Sequence, residues 1–209
     1  MKVLMINGSP HPHGCTYTAL HEVEKELNAA GIETEIVNLG VGPLYSCAAC
    51  NMCRNGGKGR CVRDDMVNVI LEKAETADGF IFASPVHIAS ASGAISAVMD
   101  RAFYANSAVF RQKPGAAVVS ARRAGTTATF DQLNKYFTIN QMPIVSSQYW
   151  NMVHGYTPED VMQDKEGMQT MRTLGRNMAW LLKCIELGKQ NGIEAPAQEL
   201  PKLATDFIR

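Results

Sequence analysis

Lys2-Val3-Leu4-Met5-Ile6-Asn7-Gly8-Ser9-Pro10-His11-Pro12-His13-Gly14-Cys15-Thr16 decides how this chain folds. The run 2–6 is apolar enough for a strand buried on both faces, and the Gly-, Ser- and Pro-rich stretch after it can only be a loop. Residues 16–30 then carry Leu20, Val23, Leu27 and Ala30 at helical spacing and stop at Gly31, a good helix-ending residue. A second apolar strand follows at 33–39. Strand, loop, helix and strand in that order make a parallel βαβ unit.

Working outward, the pattern recurs. Asp64-Asp65 supplies a helix N-cap, and Met66, Val69, Ile70 and Ala74 share one face of the helix running to residue 77. Strands are expected at 79–84, 115–120 and 143–145, with helices at 92–102, 127–137 and about 167–187. This predicts an α/β fold, a doubly wound three-layer α/β/α sandwich around a five-stranded parallel sheet in the order 2-1-3-4-5. Ligands of such sheets bind beyond the carboxyl ends of the strands. No repeat or linker interrupts the chain. One domain is expected over 1–209, with a cysteine-rich loop at 45–63 and a C-terminal helical extension at about 156–209.

Composition narrows the function. At 46% apolar and 19% charged residues the chain is expected to be globular rather than disordered. Twenty basic residues balance 20 acidic ones, so electrostatic capture of nucleic acid or an anionic membrane is not its expected activity. No apolar run approaches the ~20 residues of a membrane span, and Asn7-Gly8-Ser9-Pro10 breaks the opening apolar run before it could serve as an export signal. A cytoplasmic location is expected. Of six cysteines, Cys47, Cys50, Cys53 and Cys61 lie in one short stretch. In a reducing compartment such a cluster points to metal or redox chemistry rather than disulfides. Cys184 reads as a core residue of the long helix.

Three loops fall on the ligand edge. The loop 8–16 lacks GxxxxGK[ST] but can offer backbone N–H groups, the Ser9 and Thr16 hydroxyls and a helix dipole to a phosphate. Gly40-Val41-Gly42 opens no helix, which disfavours a dinucleotide-binding Rossmann domain. The loops 84–93 and 120–127 are rich in small residues and let backbone approach a flat ligand. Tyr149-Trp150 lies on the same edge, where it could cover a bound ligand or pack under the C-terminal helix.

Together Gly8-Ser9-Pro10 through Gly14-Cys15-Thr16, Ser84-Pro85-Val86-His87 with Ala97-Val98-Met99-Asp100-Arg101, and the 122–126 loop resemble the NADPH-dependent FMN reductase branch of the flavodoxin-like fold. Cys47-x2-Cys50-x2-Cys53-x7-Cys61 followed by Asp64-Asp65-Met66 is similar to the compact cysteine motif of the iron-sulfur flavoproteins. The resemblance implies that Ser9, His11, His13, Cys15 and Thr16 line an FMN phosphate site and that Pro85, Val86, His87 and Ile88 run along the isoalloxazine. It further implies that Ser120, Arg122, Arg123, Ala124, Gly125 and Thr126 meet the pyrimidine edge or ribityl chain. His11, Cys15 and His87 stand where related loops commonly carry Arg, Asn and an aromatic residue.

Three cysteines at x2 spacing with a fourth soon after can wrap a 4Fe-4S cluster, and zinc, which usually draws on two separated knuckles, ranks below it. Cys47, Cys50, Cys53 and Cys61 are thus the candidate metal ligands. The expected activity is FMN-dependent oxidoreduction with NAD(P)H as electron donor and a quinone, flavin, azo or nitro compound, or a ferredoxin-like protein, as acceptor. No catalytic acid or base is named, because the flavin carries the chemistry. A homodimer or homotetramer is expected. The alternatives are the same enzyme without a cluster, or a flavodoxin-like electron carrier or flavin sensor.

Overall fold

The computed structural model describes residues 1–201 and 203–205. Strands β1 (Lys2–Asn7), β2 (Glu33–Asn38) and β3 (Gly79–His87) form where the apolar runs predict them, and a short β4 (Ser90–Ala91) folds back antiparallel on β3. With β5 (Gly115–Ala121) and β6 (Met152–His154) the parallel sheet has the order β2-β1-β3-β5-β6. Setting the β4 hairpin aside, this is the expected flavodoxin-like 2-1-3-4-5 arrangement. The helices are α1 (Cys15–Ala29), α2 (Met66–Glu75), α3 (Gly93–Ala105), α4 (Thr126–Ile139), α5 (Pro158–Gln163) and α6 (Lys165–Gln190).

Side-chain alternation explains the layers. Leu4, Ile6, Phe80, Phe82, Ala117 and Val119 pack with α2, α3 and α4 on one face. Val3, Met5, Ile81, Ala83, Ala116 and Val118 pack with α1, α5 and α6 on the other. Both faces being covered, the central strands are apolar throughout rather than alternating with polar residues.

The last strand lies elsewhere than expected. At 143–145 there is only an isolated bridge between Ile144 and Gly115. The chain then loops out over 146–151, and pairing resumes with Met152–His154 beside Val119–Ala121. Pro143 has no N–H for a ladder, and Asn151 patches the gap. Its buried amide Nδ2 donates to the Ala117 carbonyl at 3.1 Å, while the Val119 N–H donates to the Asn151 carbonyl at 2.9 Å. Asn151→Ala strands that carbonyl, so urea unfolding should show a loss of about 1–3 kcal/mol.

The loop is tied to α6. Asn177 donates to the Ser146 carbonyl, and Thr173 and Gln169 bond Gln148. Tyr149 and Trp150 pack on each other with ring centres 4.8 Å apart and stay half-exposed, so Trp150 is not buried beneath the helix. Cys184 is exposed as well, correcting its expected place in the core. It shares an outward stripe with exposed Trp180 and Leu187, at the i, i+4 and i+7 positions of one helix face. After Gln190 no helix continues to residue 201, and the extension expected over 156–209 includes positions 202 and 206–209, which lie outside the described residues. No helix among the described residues is long and apolar enough to cross a membrane.

Candidate functional site

The carboxyl edge of the sheet is set by buried polar residues that end its strands. Asn7, fully buried at the end of β1, accepts from the Ser9 N–H at 3.1 Å and donates to Asn38 Oδ1 at 2.8 Å. Gly8 is wedged against the neighbouring strand and helix. Its N–H donates to the Ala83 carbonyl and its own carbonyl accepts from Ser92 Oγ, while a Cβ there would lie 2.7 Å from Ile95 Cβ. The loop that follows is therefore fixed before any ligand arrives.

Two of the helices opening from this edge, α1 and α4, differ from the rest. Side chains cap α2 (Asp65), α3 (Ser92), α5 (Thr157) and α6 (Asp164). By contrast α1 starts at Gly14 and α4 at Gly125 with no side-chain cap and no acidic residue in the first turn. Their first N–H groups and positive dipole ends are left for an outside acceptor, which is what an anion site requires. The start of α1 is tied to the end of β5, the strand that leads into α4. Thr16 and Ser120, both buried, share a hydroxyl hydrogen bond of 2.8 Å.

Of the other expected phosphate-loop residues, Ser9 is buried and accepts from the His11 N–H at 3.1 Å. His11 and His13 are exposed, and the His13 ring stands edge-on to Tyr17. Cys15 is half-buried with its sulfur 3.7 Å from the Gly155 carbonyl, and burial pushes its thiol pKa up.

The second wall is a hairpin rather than the loop the sequence suggested. Pro85 lies beside Ser120 in the parallel ladder, Val86 and His87 pair with Ala91 and Ser90, and Ile88-Ala89 form the tip. Both tip residues have left-handed backbones, φ 52° and 58°, and Ile88 is 99% exposed. Such a turn favours Asn-Gly, and a β-branched residue there is strained. Gly125, at φ 94°, closes the wall, since a Cβ on it would lie 2.7 Å from Ala89 Cα. Arg122, Arg123 and Ala124 are exposed beside it, and Thr126 is buried in the first turn of α4. Relieving the tip strain in the double variant Ile88→Asn, Ala89→Gly should raise the thermal midpoint, by about 1–2 kcal/mol of stability. Turnover should fall as the apolar wall is lost.

The cysteine loop leaves the same edge but does not stay there. All four thiols, Cys47, Cys50, Cys53 and Cys61, line one cavity of about 30 Å³ together with Arg101 and Tyr104 of α3. The N-cap of α3, Ser92, is at the strand edge, so at 1.5 Å per residue Arg101 to Ala105 lie about 13–20 Å further down the helix. The loop is clamped along that helix. The Tyr104 hydroxyl donates to Asn51 Oδ1 and Arg54 lies 3.8 Å over the Tyr104 ring, while from α2 Asn68 accepts from the Cys61 N–H and donates to its carbonyl. Among the described residues no three His, Cys, Asp or Glu groups converge as ligands of a single ion. The four thiols instead share the walls of one cavity with Ala48, Val62 and Ala105. A second cavity of about 600 Å³ shares Tyr104 and holds Arg54, Arg111 and Tyr136. Burial and the Asp100 carboxylate raise the Tyr136 pKa, keeping its hydroxyl protonated.

Asn7, Asn38, Ser92, Arg101 and Asn151 are positioning residues to which the sequence reading gave no role, although Asn7 and Arg101 stood within the stretches it quoted. Polar residues bordering apolar runs were the available signal for the first two.

Comparison with known proteins agrees with this geometry. Residues 1–157 match the NADPH-dependent FMN reductase family. An iron-sulfur flavoprotein of Methanocaldococcus jannaschii is 35% identical over 194 residues, covering 89% of this chain and all (100%) of that protein. One from Methanosarcina thermophila is 31% identical over 193 residues, covering 89% and 97%. A solved flavone reductase superposes with a TM-score of 0.68 at 19% identity, covering 89% of this chain and 64% of the reductase, a likeness of fold. Sequence, strand order and site geometry thus converge: the chain belongs to the NADPH-dependent FMN reductase family.

Proposed function

We propose that this FMN-dependent oxidoreductase takes electrons from NAD(P)H and passes them to an acceptor, with a 4Fe-4S cluster on Cys47, Cys50, Cys53 and Cys61 for one-electron exchange. The observation that carries the flavin half is the pair of uncapped helix starts on the strand edge, with α1 tied through the Thr16–Ser120 hydrogen bond to the end of the strand that leads into α4. The cluster half rests on four thiols in one cavity, and the relatives' names, iron-sulfur flavoprotein, support it. Bound FMN supplies hydride chemistry and a 4Fe-4S group supplies single-electron exchange.

The protein's share is binding and electrostatics. N–H groups of the α1 start, with the Thr16 hydroxyl, hold the phosphate. The start of α4 and the exposed Arg122 and Arg123 favour negative charge at the flavin's polar edge, where reduction adds it. The strained hairpin tip holds an apolar wall beside the ring. Quinones, flavins, azo or nitro compounds and ferredoxin-like proteins are the proposed acceptors, in the cytoplasm. A homodimer or homotetramer is proposed because Tyr149, Trp150 and Trp180 leave aromatic surface exposed, and because one chain separates its two sites along α3.

Steady oxidation of NADH or NADPH by FMN-loaded protein in the presence of a quinone is the expected result. No oxidation with any acceptor of these classes would contradict the reading and favour an electron carrier.

A further inference from the structure

Arg101 is a charged residue buried where neither the flavin site nor the core needs one. Its side chain is 1% exposed, on the face of α3 that supports the cysteine loop. Every nitrogen is engaged. Nε and Nη2 donate to the Cys61 sulfur at 3.3 and 3.2 Å, and Nη2 also to the Arg63 carbonyl at 2.9 Å. Nη1 donates to Asp65 Oδ2 at 2.6 Å and to the Tyr45 carbonyl at 3.3 Å. Asp65 is itself held, since its other oxygen caps α2 by accepting from the Val67 N–H. Five donations thus tie both ends of the cysteine loop, at Tyr45 and at Cys61 to Asp65, to one guanidinium. Among the described residues, no hydrogen bond reaches the sulfurs of Cys47, Cys50 or Cys53, so the cavity is electrostatically lopsided toward Cys61.

We propose that Arg101 is the positioning residue of the cysteine cavity, fixing the Cys61 sulfur by a forked pair of N–H···S hydrogen bonds and setting the reduction potential of the group held there. The inference rests on the cluster reading given above and goes beyond it by assigning how this chain tunes that group. Hydrogen bonds to a ligand sulfur and a buried positive charge both favour the more negative, reduced form. Arg suits the task because its planar fork can bond one sulfur with two nitrogens while a third nitrogen keeps the carboxylate. Lys keeps the charge but cannot make the fork.

The test is anaerobic redox titration of the holoprotein, wild type against Arg101→Lys and Arg101→Gln, with a dye-mediated one-electron titrant. Iron, sulfide and FMN contents and far-UV circular dichroism are measured alongside. The expected result is a lower iron-sulfur potential in both variants, larger for Gln. It should correspond to at least a tenfold change in the equilibrium, 59 mV per tenfold for one electron. The flavin potential and FMN content should stay put, which a general loosening of the fold would not allow. Iron lost from a variant that keeps its FMN and dichroism equally supports the positioning role. Unchanged potentials with full iron in both variants would overturn the inference while leaving the cluster reading intact. Loss of fold in both variants would reduce Arg101 to a structural residue and overturn it too. Wild-type protein without iron or sulfide would sink the cluster reading and the inference with it.

Discussion

Gly14→Asp should weaken FMN binding about 100-fold, roughly 3 kcal/mol, while leaving the apoprotein as stable as before or slightly more so. Gly14 is the N-cap of α1, with φ −84° and ψ −165°, extended backbone open to any residue. An Asp there would accept from the N–H groups of the first turn, a capping bond worth about 1 kcal/mol to the helix. Those are the donors proposed for the phosphate, and the new carboxylate would repel it. The added Cβ meets His11 Cβ at 3.0 Å, so the loop must give slightly. Gly14→Ala isolates that steric effect and Gly14→Ser adds a neutral cap. Titration of apoprotein with FMN by flavin fluorescence, with thermal unfolding alongside, reads both quantities. An affinity for Gly14→Asp equal to that of Gly14→Ala would remove α1 from the site.

The other large effect is at the cysteines. Cys61→Ser should reduce bound iron and sulfide to below about a tenth of wild type, because an alkoxide is a poor substitute for thiolate on iron and the Arg101 fork loses its sulfur. FMN content should be unchanged, since the cysteine cavity lies along the lower part of α3 and the flavin edge at its start. Cys184→Ser, on the exposed stripe of α6, and Cys15→Ser, beside Gly155, should keep full iron. Full iron and sulfide in Cys61→Ser would show that Cys61 is not a ligand.

The strands and the three edge loops were legible because burial on both faces writes itself as short apolar runs bounded by Gly, Ser and Pro. The last strand was misplaced because 143–145 and 152–154 are comparably short and apolar, and only the Asn151 amide, bonded to Ala117 across the gap, decides which one pairs. The β3–β4 hairpin was invisible because Ile88-Ala89 is the reverse of a turn signal, the strain being held by contacts from Gly125. The cysteine spacing announced a metal site, but nothing between Asn38 and Met66 says which way that loop lies. Its direction is fixed by Arg101 and Tyr104, and nothing in the sequence of α3, not even Arg101 within the Ala97–Arg101 stretch, says that they face that loop. Cys184 was misread because an apolar stripe normally faces the core, and here Trp180 and Leu187 share its outward face.

The flavin proposed at the strand edge and the iron-sulfur group proposed in the cysteine cavity are tested together by purifying the protein without oxygen and measuring FMN, iron and acid-labile sulfide per chain. The expected result is about one FMN with about four irons and four sulfides. A yellow protein free of iron would contradict the cluster, and a colourless one unable to take up FMN would contradict the site itself.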